Sequence, residues 1–283
     1  MSAIDYTPEA VESGYNNRAA VPDHPRWLAY YPRASAEARE ALASKLDLRY
    51  GPGPKETLDL FLPSGRPRGT FVFLHGGYWR AFDKSDFSFV ATPFVAEGLA
   101  VAVVNYDLCP DVSIGEIVDE CRRALRWIVH DGAAHGAHPA WLVVGGHSAG
   151  GHLSAMMFAT DWTRYGLATP PIAGGVSLSG VHDLAPMVHF SYNSDLKLDA
   201  VQAERLSPVL LAPRMDLPLV LAVGADETSE FVRQTRIMWD AWPHNRPAGA
   251  TAPMLIRGRN HFDVVVDFAN AASDLVRATL ALF

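Results

Sequence analysis

Residues 141–150 read Trp141-Leu142-Val143-Val144-Gly145-Gly146-His147-Ser148-Ala149-Gly150. The run Trp141–Gly145 has the character of a buried strand, and an apolar helix is expected from Ala149 to Phe158. Between them stands Gly146-x-Ser148-x-Gly150, a pentapeptide that is common by itself. The strand–turn–helix setting gives it weight, because a sharp turn there presents a nucleophile. Such a turn leaves no room for side chains beside Ser148, which accounts for Gly146 and Gly150. It lifts the Ser148 hydroxyl above the C-terminal edge of a sheet. It also aims the first N–H groups of the helix at a point where negative charge could develop.

Working outward, short apolar runs recur at Thr70–Leu74, Ala100–Asn105, Ile172–Ser179, Leu217–Gly224 and Ala252–Arg257. Runs that are apolar at every position suit strands buried on both faces. Between them Phe87–Glu97, Ile114–His130, Ser229–Trp242 and Val264–Leu282 carry helical spacing. This alternation predicts an α/β fold with a mostly parallel central sheet flanked by helices. Upstream, Leu46–Tyr50 and Thr57–Leu62 alternate around Gly51-Pro52-Gly53-Pro54 and read as an antiparallel pair. The first 45 residues show no strand pattern, and a helix is expected over Ala34–Lys45 with Ser35 as its cap. Between Gly180 and Asp216 the alternation lapses. A connection of that length is expected to be a small lid inserted after the strand Ile172–Ser179. No repeat of 20–50 residues is present.

Composition supports this frame. Of 283 residues, 49% are hydrophobic and only 19% are Asp, Glu, Lys or Arg, which excludes disorder and favours a large core. The net charge of −7 and the scattered basic residues argue against nucleic acid as a partner. Arg122, Arg123 and Arg126 read as the solvent face of a helix. Cys109 and Cys121 have no redox or zinc spacing and read as small core thiols. The N-terminus has neither a basic nor an apolar targeting region, and no run is long enough to span a membrane. The expectation is a cytoplasmic protein without a membrane partner.

The candidate chemistry gathers around Ser148. His75-Gly76-Gly77-Tyr78-Trp79 closes the strand Thr70–Leu74, and its Gly77 and Tyr78 N–H groups, with that of Ala149, could bind an oxyanion. A serine hydroxyl needs a base, itself oriented by an acid. Of eleven histidines, His261 stands after the last strand, where the base is expected in the order Ser, acid, His. His147 and His152 flank the nucleophile and cannot fold back as base. His75 reads as a stabiliser of its own loop. His130, His135 and His138 read as a solvated connection, and His182 and His189 lie in the lid, where a substrate contact is open to them. The acid should follow Leu217–Gly224, where Asp226 and Glu227 compete and spacing alone does not choose.

With these residues identified, the chain resembles the α/β-hydrolase superfamily and, within it, the kynurenine formamidase (arylformamidase) group. The resemblance rests on His75-Gly76-Gly77-Tyr78-Trp79 and on Gly146-His147-Ser148-Ala149-Gly150-Gly151-His152-Leu153. It extends to Tyr15-Asn16-Asn17-Arg18, Tyr50-Gly51-Pro52-Gly53, Leu58-Asp59-Leu60-Phe61, Ser179-Gly180-Val181-His182-Asp183-Leu184, Glu230-Phe231, Arg233-Gln234 and Asn260-His261-Phe262. In similar hydrolases the acid is the third residue after the strand-ending glycine, which selects Glu227 and leaves Asp226 as the alternative.

The resemblance implies hydrolysis of N-formyl aromatic amines such as N-formyl-kynurenine by Ser148, His261 and Glu227, with no metal or organic cofactor. Tyr78, Trp79, Phe190 and Tyr192 are candidates to enclose an aromatic leaving group. The alternative is a carboxylesterase of small acyl or aryl esters with the same triad. A binding module on this fold would have lost the triad. The resemblance also admits a homodimer. Because Ser148, Glu227 and His261 must meet at one sheet edge, residues 1–283 are expected to form a single domain. Residues 1–45 and 180–216 would then lie over the site.

Overall fold

A computed structural model describes residues 6–283. The first five residues, part of the segment read for a targeting signal, lie outside it. Strands form at the alternating pair and at the apolar runs: β1 Ser44–Arg49, β2 Thr57–Phe61, β3 Thr70–Leu74, β4 Ala100–Val104, β5 Leu142–His147, β6 Ile172–Leu178, β7 Leu219–Gly224 and β8 Met254–Ile256. They make one sheet in the order β1-β2-β4-β3-β5-β6-β7-β8. From β4 to β8 every pairing is parallel, while β2 runs antiparallel to both β1 and β4. Parallel pairing puts the C-terminal ends of β3, β5, β7 and β8 on one edge. The residues singled out for chemistry follow those ends.

Both faces of the sheet are covered. Val72, Leu74, Val104, Val144, Leu221 and Val223 pack toward the helices Ile114–His130, Ala149–Phe158 and Ser229–Ala241. Phe71, Phe73, Val101, Val103, Val143 and Val176 pack on the other side with Phe87, Phe94, Phe268, Leu275 and Val276. Successive strand residues thus enter opposite layers, which is why these strands lack an apolar–polar alternation. The helix Ile114–His130 is bounded as its sequence predicts. Ser113 accepts from the Glu116 N–H while Glu116 reaches back to Ser113, a reciprocal cap.

Three expectations need correction. The N-terminal helix spans His24–Ala41 rather than Ala34–Lys45, and Ser44 and Lys45 belong to β1. Pro25 sits in its first turn, where no N–H is needed, so that proline starts the helix. Ser35 lies inside it, fully buried, and is no cap. The stretch Val264–Leu282 divides into a 3-10 segment, Val264–Ala269, and a helix, Asp274–Leu280. Its break forms because Asn270 accepts from the Ala272 N–H and the Ser273 hydroxyl donates to the Asp267 carbonyl, both competing with helical bonds. Arg122 and Arg123 are not simply solvated, since half-buried Arg122 pairs at 2.8 Å with Asp119 and Arg123 at 2.6 Å with Glu56, whose side chain is 1% exposed. Of the three arginines only Arg126 is exposed.

The N-terminal helix is pinned to the sheet through Asp59 on β2. Its buried carboxylate meets Arg39 of that helix and, at 2.7 Å, Lys84 of the segment after β3. The 180–216 insertion carries short helices of its own at Asn193–Leu196 and Ala200–Arg205, with Leu196 and Ala203 buried. Among the described residues no helix is long and apolar enough to cross a membrane.

Candidate active site

At the end of β5 the chain turns through Ser148, which adopts φ 57° and ψ −117°. A non-glycine residue holds such a conformation only when its surroundings enforce it. Here they do: a Cβ on Gly146 would collide with the Gly150 carbonyl, and one on Gly150 with the Leu74 carbonyl. β3, β5 and the following helix therefore approach each other too closely for any side chain at either position. The helix Ala149–Phe158 starts immediately, so the Ala149 N–H lies in its first turn without an intrahelical acceptor.

Ser148 Oγ lies 3.1 Å from His261 Nε2, and His261 Nδ1 lies 2.6 Å from Glu227 Oε2. The other Glu227 oxygen accepts from the Ser179 hydroxyl at 2.5 Å and from the Gly224 N–H at 2.8 Å. With these donors the Glu227 side chain has no exposure to solvent. The neighbouring Asp226 is exposed, so of the two carboxylates left open by spacing only Glu227 reaches His261. The His261 loop is fixed by Asn260, whose Oδ1 accepts from the Phe262 and Asp263 N–H groups. From the N-terminal helix, the Tyr31 hydroxyl donates to the Phe262 carbonyl at 2.5 Å.

The His147 ring lies 4.7 Å from that of His261. Burial, with His261 beside it, holds its pKa well below the usual imidazole value, so it stays neutral. An imidazolium formed at His261 would therefore face no second cation from His147. His75 is buried between Phe87 and Tyr106, its Nδ1 2.8 Å from the Gly76 carbonyl oxygen, and burial pushes its pKa down to about 4. It braces its own loop, as the sequence suggests. After it the chain adopts positive φ at three consecutive residues, Gly77 (113°), Tyr78 (51°) and Trp79 (55°). Among the described residues no acceptor takes the Gly77 or Tyr78 N–H. Successive unpaired N–H groups in a turn of this kind form a concave anion site.

Ser148, His147 and His261 line a cavity walled by Tyr31, Tyr78, Phe82, Phe87, Tyr192 and Phe262. Of the four aromatics expected to meet a leaving group, Tyr78 and Tyr192 are there. Trp79 and Phe190 are not among its lining residues. Trp79 is fully buried with its indole N–H 3.3 Å from His152, and Phe190 packs behind Tyr78 and Tyr192. Both belong to the buried core on that side of the sheet. Neither His182 nor His189 reaches the cavity, since His182 is buried against Ser177 and His189 is exposed. Sequence reasoning assigned no role to Ser179, to Tyr31, or to Asn17 and Arg18, which also line the cavity. Ser179, Asn17 and Arg18 stand within the motifs that carry the resemblance, but nothing in their spacing indicates what they do. No group of three or more His, Cys, Asp or Glu side chains among the described residues is placed to hold a metal ion.

Comparison with known proteins places the chain in a family. Residues 58–210, over half of the chain, match the family described as BD-FAE. Kynurenine formamidase of Salmo salar is 30% identical over 252 residues, covering 87% of this chain and 84% of that one. A solved structure from Silicibacter sp. TM1040, described as a thioesterase candidate, superposes with a TM-score of 0.83 at 34% identity, covering 95% of this chain and 98% of that one. Esterase B of Lactobacillus rhamnosis superposes with a TM-score of 0.71 at 19% identity, covering 94% and 96%, and so shares the fold. Together with the parallel sheet and the serine turn at the end of β5, these matches show that the chain is a hydrolase and belongs to the kynurenine formamidase-like α/β-hydrolases.

Proposed function

We propose that this hydrolase cleaves N-formyl and related N-acyl aromatic amines, with N-formyl-kynurenine as the representative substrate, through Ser148, His261 and Glu227. The observation that carries the reading is the unbroken hydrogen-bonded series from Ser148 Oγ to His261 to Glu227 beside an aromatic-walled cavity. His261 Nε2 takes the Ser148 proton as Oγ attacks the acyl carbon. Glu227 accepts a hydrogen bond from the His261 Nδ1–H, fixes the tautomer and stabilises the imidazolium, without itself taking the proton. The Gly77, Tyr78 and Ala149 N–H groups hold the oxyanion. When the C–N bond breaks, His261 returns its proton to the departing amine. Water, deprotonated by the same imidazole, then releases formate and restores Ser148.

The same reading treats the chain as a single domain in which residues 6–43 and 180–216 lie over the cavity, Ser44 and Lys45 belonging to β1 instead. The Tyr31–Phe262 bond and the place of Tyr192 in the wall support it. A second reading, ester or thioester hydrolysis by the same serine, draws on the 34%-identical structure described as a thioesterase candidate. Turnover of N-formyl-kynurenine, an N-acyl anthranilate and p-nitrophenyl esters, measured side by side, separates the two. Hydrolysis of the formamide at a rate matching or exceeding the esters is expected. Hydrolysis of esters alone would leave only the second reading.

A further inference from the structure

Asn17 is 5% exposed and lines the cavity beside Ser148, yet its Nδ2 is buried without a hydrogen-bond partner among the described residues. An unpaired buried amide costs enough that a fold keeps one only where something else satisfies it. Its position is held firmly. The Tyr78 hydroxyl donates to the Tyr15 carbonyl at 2.6 Å, and the Tyr15 hydroxyl donates to Glu230 at 2.8 Å. Asn16 spends its own side chain on the Ala19 N–H and on Glu12. Of the two adjacent asparagines, one therefore builds the turn and the other is left to face the cavity.

The charge of this cavity is one-sided. Arg18 and Arg80 line it, and no Asp or Glu does. Arg80 is engaged by Asp195 and lies over the Tyr192 ring, whereas Arg18 makes no ion pair among the described residues. A chain with a net charge of −7 thus presents, among the described residues, an unpaired cation and an unpaired amide donor beside an aromatic pocket. That combination suits an anion carried on an aromatic ring.

We propose that Asn17 and Arg18 form a specificity subsite that reads a carboxylate on the leaving-group side of the substrate. Asn17 Nδ2 donates to an oxygen of that group, and the Arg18 guanidinium pairs with its charge. This rests on the proposed function in taking the scissile bond to lie at Ser148, but not on that bond being an amide.

The test compares kcat/KM for 2- and 3-formamidobenzoate against formanilide, and for 3-acetoxybenzoate against phenyl acetate. Wild type should favour the carboxylate member by about tenfold or more, and Arg18→Gln and Asn17→Ala should each cut that ratio about tenfold, mainly through KM. Because both members of a pair use the same triad, general damage to the fold does not move the ratio. A wild-type ratio at or below one, or a ratio that Arg18→Gln leaves in place, overturns the subsite. An Arg18-dependent preference seen on the esters with no formamide turnover keeps the subsite and overturns the formamidase reading. Formamide turnover without charge preference does the reverse, and turnover of none of the five overturns both.

Discussion

Glu227 illustrates how much one side chain's surroundings decide. Its carboxylate accepts from Ser179, Gly224 and His261, while Asp226, one residue earlier, faces solvent. Glu227→Gln should lower kcat by about a thousandfold or more, because the amide no longer fixes the His261 tautomer. Asp226→Asn should stay within about twofold of wild type, since exposed substitutions rarely matter. Steady-state kinetics of the two variants check this, and the opposite pattern would reassign the acid. Ser179→Ala removes one of the donors that orient Glu227 and should lower kcat about tenfold with little change in KM. Ser148 and His261 were legible in sequence because the motif and the chain order name them. Ser179 was not, because its role depends on a φ of 52° that turns its hydroxyl toward a residue 48 positions later.

Among the elements, the central strands β3 to β7 were readable because burial on both faces leaves a largely unbroken apolar run. The N-terminal helix was not, because Pro25 and Pro32 mimic breaks in a segment that is helical from His24 to Ala41. What holds that helix is distributed: Arg39 to Asp59, and Tyr31 to the loop that carries His261. Asp59 is fully buried and also receives Lys84, so Asp59→Ala would leave half-buried Arg39 without its carboxylate and buried Lys84 with Asp47 alone. Urea unfolding should show a loss of about 3 kcal/mol. A loss under about 1 kcal/mol would mean that the Asp59 ion pairs contribute little to holding this helix. Hydrolysis should weaken along with stability, because the same helix bears on the Phe262 carbonyl.

Across the whole molecule, four buried histidines link stability to pH. His75 and His152 are lowered to about 4 and His182 to about 3, while His147 lies well below its usual value, burial being the first cause in each. All four are neutral in both states above pH 6.5. Below it the unfolded chain takes up protons that the folded chain refuses, so stability falls as pH drops from 6.5 toward about 4. Each fully linked histidine removes about 1.4 kcal/mol per pH unit. Glu120, which burial pushes up to about 7, acts in the opposite sense and offsets part of the loss. Thermal melts should show Tm declining steadily over that window, and a flat Tm would contradict the buried neutral state of these rings.

At the same scale, sheet topology brings three widely separated residues to one edge, and the proposed chemistry depends on that convergence. It is tested most directly by following formate release from N-formyl-kynurenine by wild type and Ser148→Ala under identical conditions. The expected result is saturable release by wild type and a loss of about 10⁴-fold or more in kcat/KM for the variant, which remains folded. Absence of release by wild type, or release by Ser148→Ala at a wild-type rate, would contradict it.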